Sequence, residues 1–208
     1  MARLSRNFYL SDTTETAKNL LGRYLVRMLN GEALVCRITE TEAYIGRCDK
    51  ACHAYQYLRT ARTEPLFEEP GHAYLYLIYG MYSCLNFVTE PAGEPAAVLI
   101  RACEPVAGIN TIRRLRFGEK ADRLSAYQQR NFMNGPGKLC KGLSLTRDQN
   151  RMDLTGDELF VCDSPEDVGL PCPPVPSGEI LLAGPRIGVD YAEEAKDFPW
   201  RFRLIKGA

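Results

Sequence analysis

The sequence offers little to a metal. Only two histidines occur in 208 residues, and beside Cys48, Cys52 and His53 there is no second cysteine pair at ligand spacing. A closed zinc site needs four ligands, so none is expected, and no motif calls for a cofactor. Net charge is also missing, because 26 Lys and Arg balance 26 Asp and Glu. That removes any global attraction to nucleic acid or anionic lipid, and leaves a polyanion only a local basic patch. No apolar run approaches the roughly 20 residues of a membrane span, and no secretory h-region is present. The eight cysteines lack the spacing of a disulfide-stapled miniprotein, and several sit in apolar runs, such as Cys36 in "ALVCRI" and Cys84 in "YSCLNFV". Reduced thiols in a cytoplasmic protein are the expectation.

What is present reads as an α+β chain. "SDTTETAKNLLG" carries helix-capping residues, Glu15 in the first turn and a stop at Gly22. Asn30-Gly31 sits between two strand-like runs and is a strong hairpin signal. "HAYLYLIYGMYSCLNFV", broken by Gly80, predicts a strand pair or a bulged strand. "PAAVLIRACEP" predicts a buried strand, Arg113–Tyr127 a helix, and "NGPGKLCKGLSL" a glycine-rich turn into a helix. "DELFVCDS", "GEILLAGPRIGV" and "PWRFRLI" read as further strands, "DYAEEAK" as a short helix, and Pro165–Ser177 as a proline-rich surface loop. Adjacent strands with few intervening helices imply one domain over 1–208: a mostly antiparallel, curved or barrel-like β core with short flanking helices.

Four features carry chemistry. If residues 33–44 form a regular strand, Leu34, Cys36, Ile38, Glu40, Glu42 and Tyr44 share one face, so the apolar side turns acidic as it leaves the core. A partly desolvated carboxylate there suits proton transfer, although periodicity alone favours strand-end glutamates bonded to neighbouring arginines. Arg101 ends the apolar run "AAVLIR", where burial demands a carboxylate partner. Tyr74, Tyr76, Tyr79 and Tyr82 crowd a nine-residue span, and such aromatic density suits a planar, electron-poor ligand such as a nucleobase. "INTIRRLRFGEKADRL" is either a solvated helix face or a phosphate-binding patch. "NGPGKLC" is no P-loop, because Leu139 follows Lys138 where Ser or Thr is required. No G-x-S-x-G elbow exists.

In register, "RITETEAYIG…HAY", "GHAYLYLIYGMYSCLN", "VLIRACEP", "GPGKLC" and "PRIGV" resemble the alkyladenine (3-methyladenine) DNA glycosylase family, from about residue 7 to 205. The resemblance implies a base-excision repair enzyme that flips a damaged purine out of double-stranded DNA and hydrolyses its N-glycosidic bond. By matching position it implies Glu42 as general base, with Arg101 and the backbone carbonyl of Ile187 holding the water. Tyr44, His53 and Tyr76 become the stacking walls of the base pocket, and Asn86 disfavours guanine. Tyr79 is the intercalating wedge, with Met81 beside it. Lys138, Arg62 and Arg113 become phosphate contacts. No lysine stands out as a Schiff-base nucleophile, so no lyase activity is expected, and the chain is read as a cofactor-free monomer, cytoplasmic, nucleoid-associated, or nuclear in a eukaryote. Thr63 and Glu64 depart from the Asn-rich pattern after the pocket histidine, and Glu64 lowers the positive potential there. The rival readings are a non-catalytic module binding nucleic acid or a modified base, and a formyltransferase-like barrel for which no cofactor motif is found.

Overall fold

The computed structural model describes residues 3–78, 80–170 and 178–207. Among the described residues eight strands carry the fold: β1 (Tyr24–Leu29), β2 (Glu32–Ile45), β3 (Ala73–Ile78), β4 (Tyr82–Val88), β5 (Ala96–Ala107), β6 (Leu159–Cys162), β7 (Glu179–Gly184) and β8 (Arg201–Lys206). They form one antiparallel sheet in the order β3-β4-β5-β2-β1-β6, with the β7–β8 pair attached to β2. Five short helices flank it: α1 (Arg6–Tyr9), α2 (Thr13–Asn19), α3 (Ile109–Phe117), α4 (Ala126–Arg130) and α5 (Pro136–Gly142). The α+β class with a curved antiparallel sheet follows. Among the described residues, no helix is long and apolar enough to cross a membrane.

Local chemistry accounts for most of the elements. Asp12 caps α2 by accepting from the Thr14 and Glu15 amides. Leu29 pairs with Glu32 across Asn30 and Gly31, whose φ values of 50° and 82° make the two-residue turn of a right-twisted hairpin. Gly80 takes φ 68° at the β3–β4 turn, where Ile78 pairs with Tyr82. The helix expected over Arg113–Tyr127 is shorter and displaced. It runs Ile109–Phe117 and stops where Gly118 takes φ 59°, and a separate α4 begins at Ser125 with its own capping box. The "DYAEEAK" helix is a 3₁₀ turn over Glu193–Asp197. Of the proline-rich stretch, Pro165–Val168 is also a 3₁₀ turn, and 171–177 lies outside the described residues.

The regular alternation expected along β2 is broken by bulges, which turn its acidic residues away from the main core. Ile38 pairs with Cys103 and Glu40 with Ala102, so Thr39 is an extra residue on β2. Glu40 then pairs with Ala102 and Thr41 with Ile100, so Arg101 is an extra residue on β5. Each bulge shifts the in–out alternation of its strand by one residue. Leu34, Cys36 and Ile38 belong to the main core, and beyond the bulge it is Ala43 that joins them. Thr41 likewise points inward, donating to the Ala17 carbonyl of α2 at 2.8 Å. Glu40, Glu42 and Tyr44 therefore do not share the face of Leu34, Cys36 and Ile38; they occupy the opposite one. On β5 the core residues Val98 and Ile100 are followed by Cys103, so Arg101 faces with the glutamates.

Candidate functional site

Glu42 is fully buried, yet both of its oxygens are held. Oε1 accepts from the Ile187 backbone N–H at 2.9 Å. Oε2 accepts from the Tyr44 hydroxyl at 2.8 Å and from Arg101 Nη1 at 3.4 Å. Burying a charge is costly unless it is paired and hydrogen-bonded, and these three donors supply both conditions. A carboxylate oxygen has two acceptor positions, so one position on Oε1 remains without a donor among the described residues. Burial and the neighbouring Glu42 charge push the Tyr44 phenol well above its ordinary range, which keeps it an O–H donor.

Arg101 divides its donors. Nε goes to Glu40 Oε1 at 3.1 Å and Nη1 to Glu42, while Nη2 has no partner among the described residues. The bulge frees the Arg101 carbonyl from β2, and it accepts from the Gly135 amide at 2.9 Å. That bond ties β5 to the turn before α5.

Ile187 is brought to Glu42 by the residue before it. The Arg186 guanidinium lies wholly inside the protein, doubly bonded to Asp49 at 2.5 and 2.7 Å, and also donates to the Ala43 and Ala195 carbonyls. It stacks over the rings of Tyr44 and Trp200, at 4.7 and 5.3 Å from their centroids. Sequence reading assigned nothing to Asp49 or Arg186. Their pairing spans the chain, and only the Arg inside "PRIGV" gave any sign of it. The expected role of Ile187 is also extended: its N–H holds the carboxylate, and its carbonyl takes no hydrogen bond from the described residues.

Beside Glu42, the side chains of Tyr44, His53, Tyr74, Tyr76 and Asn86 line a cavity that encloses about 30 Å³. That is room for one or two waters. The His53 and Tyr76 rings meet edge to face with centroids 4.6 Å apart. Arg62 closes the assembly, its guanidinium 5.1 Å above Tyr76 and donating to His53 Nε2 at 3.2 Å. Since a guanidinium only donates, Nε2 is an acceptor, and the proton sits on Nδ1, which donates to the Tyr74 hydroxyl at 3.1 Å. Burial, with Arg62 adding to it, lowers the His53 pKa to about 4, so this imidazole is neutral at pH 7. Asn86 is buried, its amide nitrogen bonded to the carbonyls of Tyr74 and Cys84, which turns the carboxamide into the cavity wall.

These residues match a known family along the length of the chain. Residues 7–207 fit the methylpurine-DNA glycosylase family. The chain belongs to that family. A protein of Clostridium perfringens named "putative 3-methyladenine DNA glycosylase" is 45% identical over 203 residues, covering 97% of this chain and 95% of the relative. Proteins with the same name from Clostridium acetobutylicum and Clostridium botulinum (strain Hall) are each 47% identical, covering 99% of this chain and 95% and 97% of the relatives.

The β3–β4 hairpin projects next to the cavity, and Met81 at its tip is 72% exposed; Tyr79 lies outside the described residues. Gly137, at the start of α5, abuts Tyr82 so closely that an added Cβ would lie 2.9 Å from the tyrosine Cβ, which sets Lys138 beside the hairpin. Burial, and next the charge of Arg116, lower the Lys138 pKa. Arg113, Arg116 and Lys138 form no ion pair among the described residues, and the Nε atoms of both arginines are buried without partners. Glu64, expected to weaken the positive field near Arg62, pairs with Arg59 and so offsets that cation's charge. Among the described residues no three His, Cys, Asp or Glu side chains gather as metal ligands, and Cys48 and Cys52 are free thiols.

Proposed function

We propose that this glycosylase removes alkylated purines from duplex DNA by hydrolysing the N-glycosidic bond, with Glu42 as the general base for the attacking water. The observation that carries this reading is the open acceptor position on a buried carboxylate whose other positions are held by Ile187 N–H, Tyr44 and Arg101. A module that only binds a base has no use for such a group.

Each residue then has a task. An alkylated purine carries positive charge and is already a good leaving group, so the sugar develops oxocarbenium character as the bond breaks. Glu42 orients water on the far side of the sugar and stabilises that charge, with the free Nη2 of Arg101 and the Ile187 carbonyl as further partners for the water. Tyr44, His53 and Tyr76 stack on the extruded base. Stacking of roughly 1–3 kcal/mol per base offsets the few kcal/mol lost on unstacking. A purine is far larger than the present cavity, so its entry drives His53 and Tyr76 apart and displaces Arg62 from the Tyr76 ring. Arg62 is then free to meet a phosphate, together with Lys138 and Arg113. Asn86 presents its carboxamide where a guanine amine would crowd it. Tyr79 and Met81 fill the gap left in the duplex. The protein acts as a monomer on chromosomal DNA, and leaves an abasic site without cutting the strand.

The test uses duplex oligonucleotides carrying an alkylated purine, hypoxanthine or 1,N6-ethenoadenine, incubated with the protein in EDTA and then treated with alkali. Strand breaks only after alkali are the expected result. No release from any substrate overturns the reading in favour of a binding module.

A further inference from the structure

The reaction just proposed gives no task to Glu40, a carboxylate buried next to Arg101. Glu40 is 8% exposed, and its Oε1 accepts from two arginines, Arg101 Nε at 3.1 Å and Arg201 Nε at 2.5 Å. Arg201 comes from β8, paired with Glu42 in the sheet, while Arg101 is the extra residue of the β5 bulge. Arg201, Glu40, Arg101 and Glu42 thus form a chain of alternating charge that sums to zero and meets the cavity wall at Tyr44. Two buried carboxylates this close repel unless cations stand between and beside them, and the second arginine provides that balance.

The geometry of Arg101 gives the arrangement a consequence for catalysis. An arginine facing one carboxylate frequently closes on it with two parallel hydrogen bonds, as Arg186 does on Asp49. Arg101 instead touches Glu42 through Nη1 alone, at 3.4 Å, because its Nε side is anchored on Glu40. A two-point grip would draw the guanidinium onto the acceptor positions of Glu42 that a water needs. Resting on the proposed hydrolysis, we infer that Glu40 is a positioning residue: it holds Arg101 off Glu42, so that the carboxylate keeps an open position and Arg101 keeps a free Nη2 beside it. Arg201 holds Glu40 in turn.

Single-turnover base release at saturating enzyme, with affinity for the same lesion duplex measured separately, tests this in wild type, Glu40→Ala, Glu40→Gln, Arg101→Ala and the Glu40→Ala/Arg101→Ala double variant. Glu40→Ala is expected to slow release roughly 10–100-fold while affinity stays within about 3-fold, a scale set by general-base catalysis as a whole. Glu40→Gln, which keeps an acceptor oxygen in place, recovers at least half of that loss on a logarithmic scale. The double variant is no slower than Arg101→Ala, because residues acting through one another do not add. Release by Glu40→Ala within 2-fold of wild type, or losses that multiply in the double variant, overturn the inference. Should Glu40→Ala fail to fold, Glu40→Asp, which keeps the charge but falls short of Arg101, takes its place in the same cycle. Failure of wild type to release any base is a separate result, which strikes the glycosylase reading itself.

Discussion

The Ile187 amide donates to Glu42 across 145 residues of sequence, at 2.9 Å. This bond ties the segment after β7 to β2 and occupies one acceptor position of Oε1, while Tyr44 and Arg101 occupy Oε2. Everything proposed for the site depends on Glu42 being held in this way.

Replacing Glu42 with Gln keeps the shape and removes the base. Base release is expected to fall by roughly 10²–10⁴-fold, with lesion-duplex affinity changed little. Single-turnover kinetics alongside equilibrium binding check this, and a fully active variant would remove Glu42 from its role.

The Arg186–Asp49 pair has no exposure on either side. Replacing Asp49 with Ala leaves a buried guanidinium uncompensated, a class of change that costs about 3–5 kcal/mol. Urea unfolding followed by the fluorescence of Trp200, which lies 5.3 Å from the Arg186 guanidinium, is expected to show that loss. A midpoint equal to wild type would show that the pair does not anchor Ile187.

His53 gives the protein a pH dependence with a definite sign. The unfolded imidazole takes its proton near its ordinary value of about 6.5, whereas the folded one waits until about 4. Between those values the unfolded chain binds more protons, so the stability linked to His53 is complete above pH 6.5 and is lost as pH falls toward 4. Denaturation of wild type and His53→Phe at several pH values between 4 and 7.5 is expected to show a shallower slope in the variant. Equal slopes refute the assignment.

Lys138 is expected to act on affinity and not on chemistry. Removing one phosphate contact lowers the slope of log K against log salt by about 1. Lys138→Ala should therefore weaken binding to damaged and intact duplexes alike, with the single-turnover rate at saturation kept. An unchanged salt slope places DNA elsewhere.

Gly46 is locked between two backbones. An added Cβ would lie 2.7 Å from the Ala54 carbonyl oxygen and 2.8 Å from that of Pro95. Gly46→Ala forces apart the strand end and the loop that carries His53, at a cost of about 1–3 kcal/mol for such overpacking. A denaturant midpoint unchanged from wild type would contradict the closeness of that packing.

Much of the architecture could be read from local pattern. Asn30-Gly31 signalled its hairpin, Asp12 its helix cap, and the β-branched and aromatic runs their strands, because turn geometry, capping and alternation act over a few residues. The segment around Arg113 does not show its break locally: a glycine inside a helical pattern is a modest cost, and it is the positive φ of Gly118 that ends the helix. The family resemblance offered Tyr44, His53 and Tyr76 as pocket walls, and the structure sets all three along one cavity.

What sequence alone determined is therefore the set of strands and turns and the residue types at the site, since these follow from short-range sterics and composition. The tertiary structure alone decided which way those residues face and what holds them. Regular alternation placed Glu40, Glu42 and Tyr44 with the core, and paired bulges at Thr39 and Arg101 turned them out of it. Bulges arise from the match between two distant strands, as do the Arg186–Asp49 pair and the Ile187 bond to Glu42, and a periodicity read along one strand contains no information about its partner.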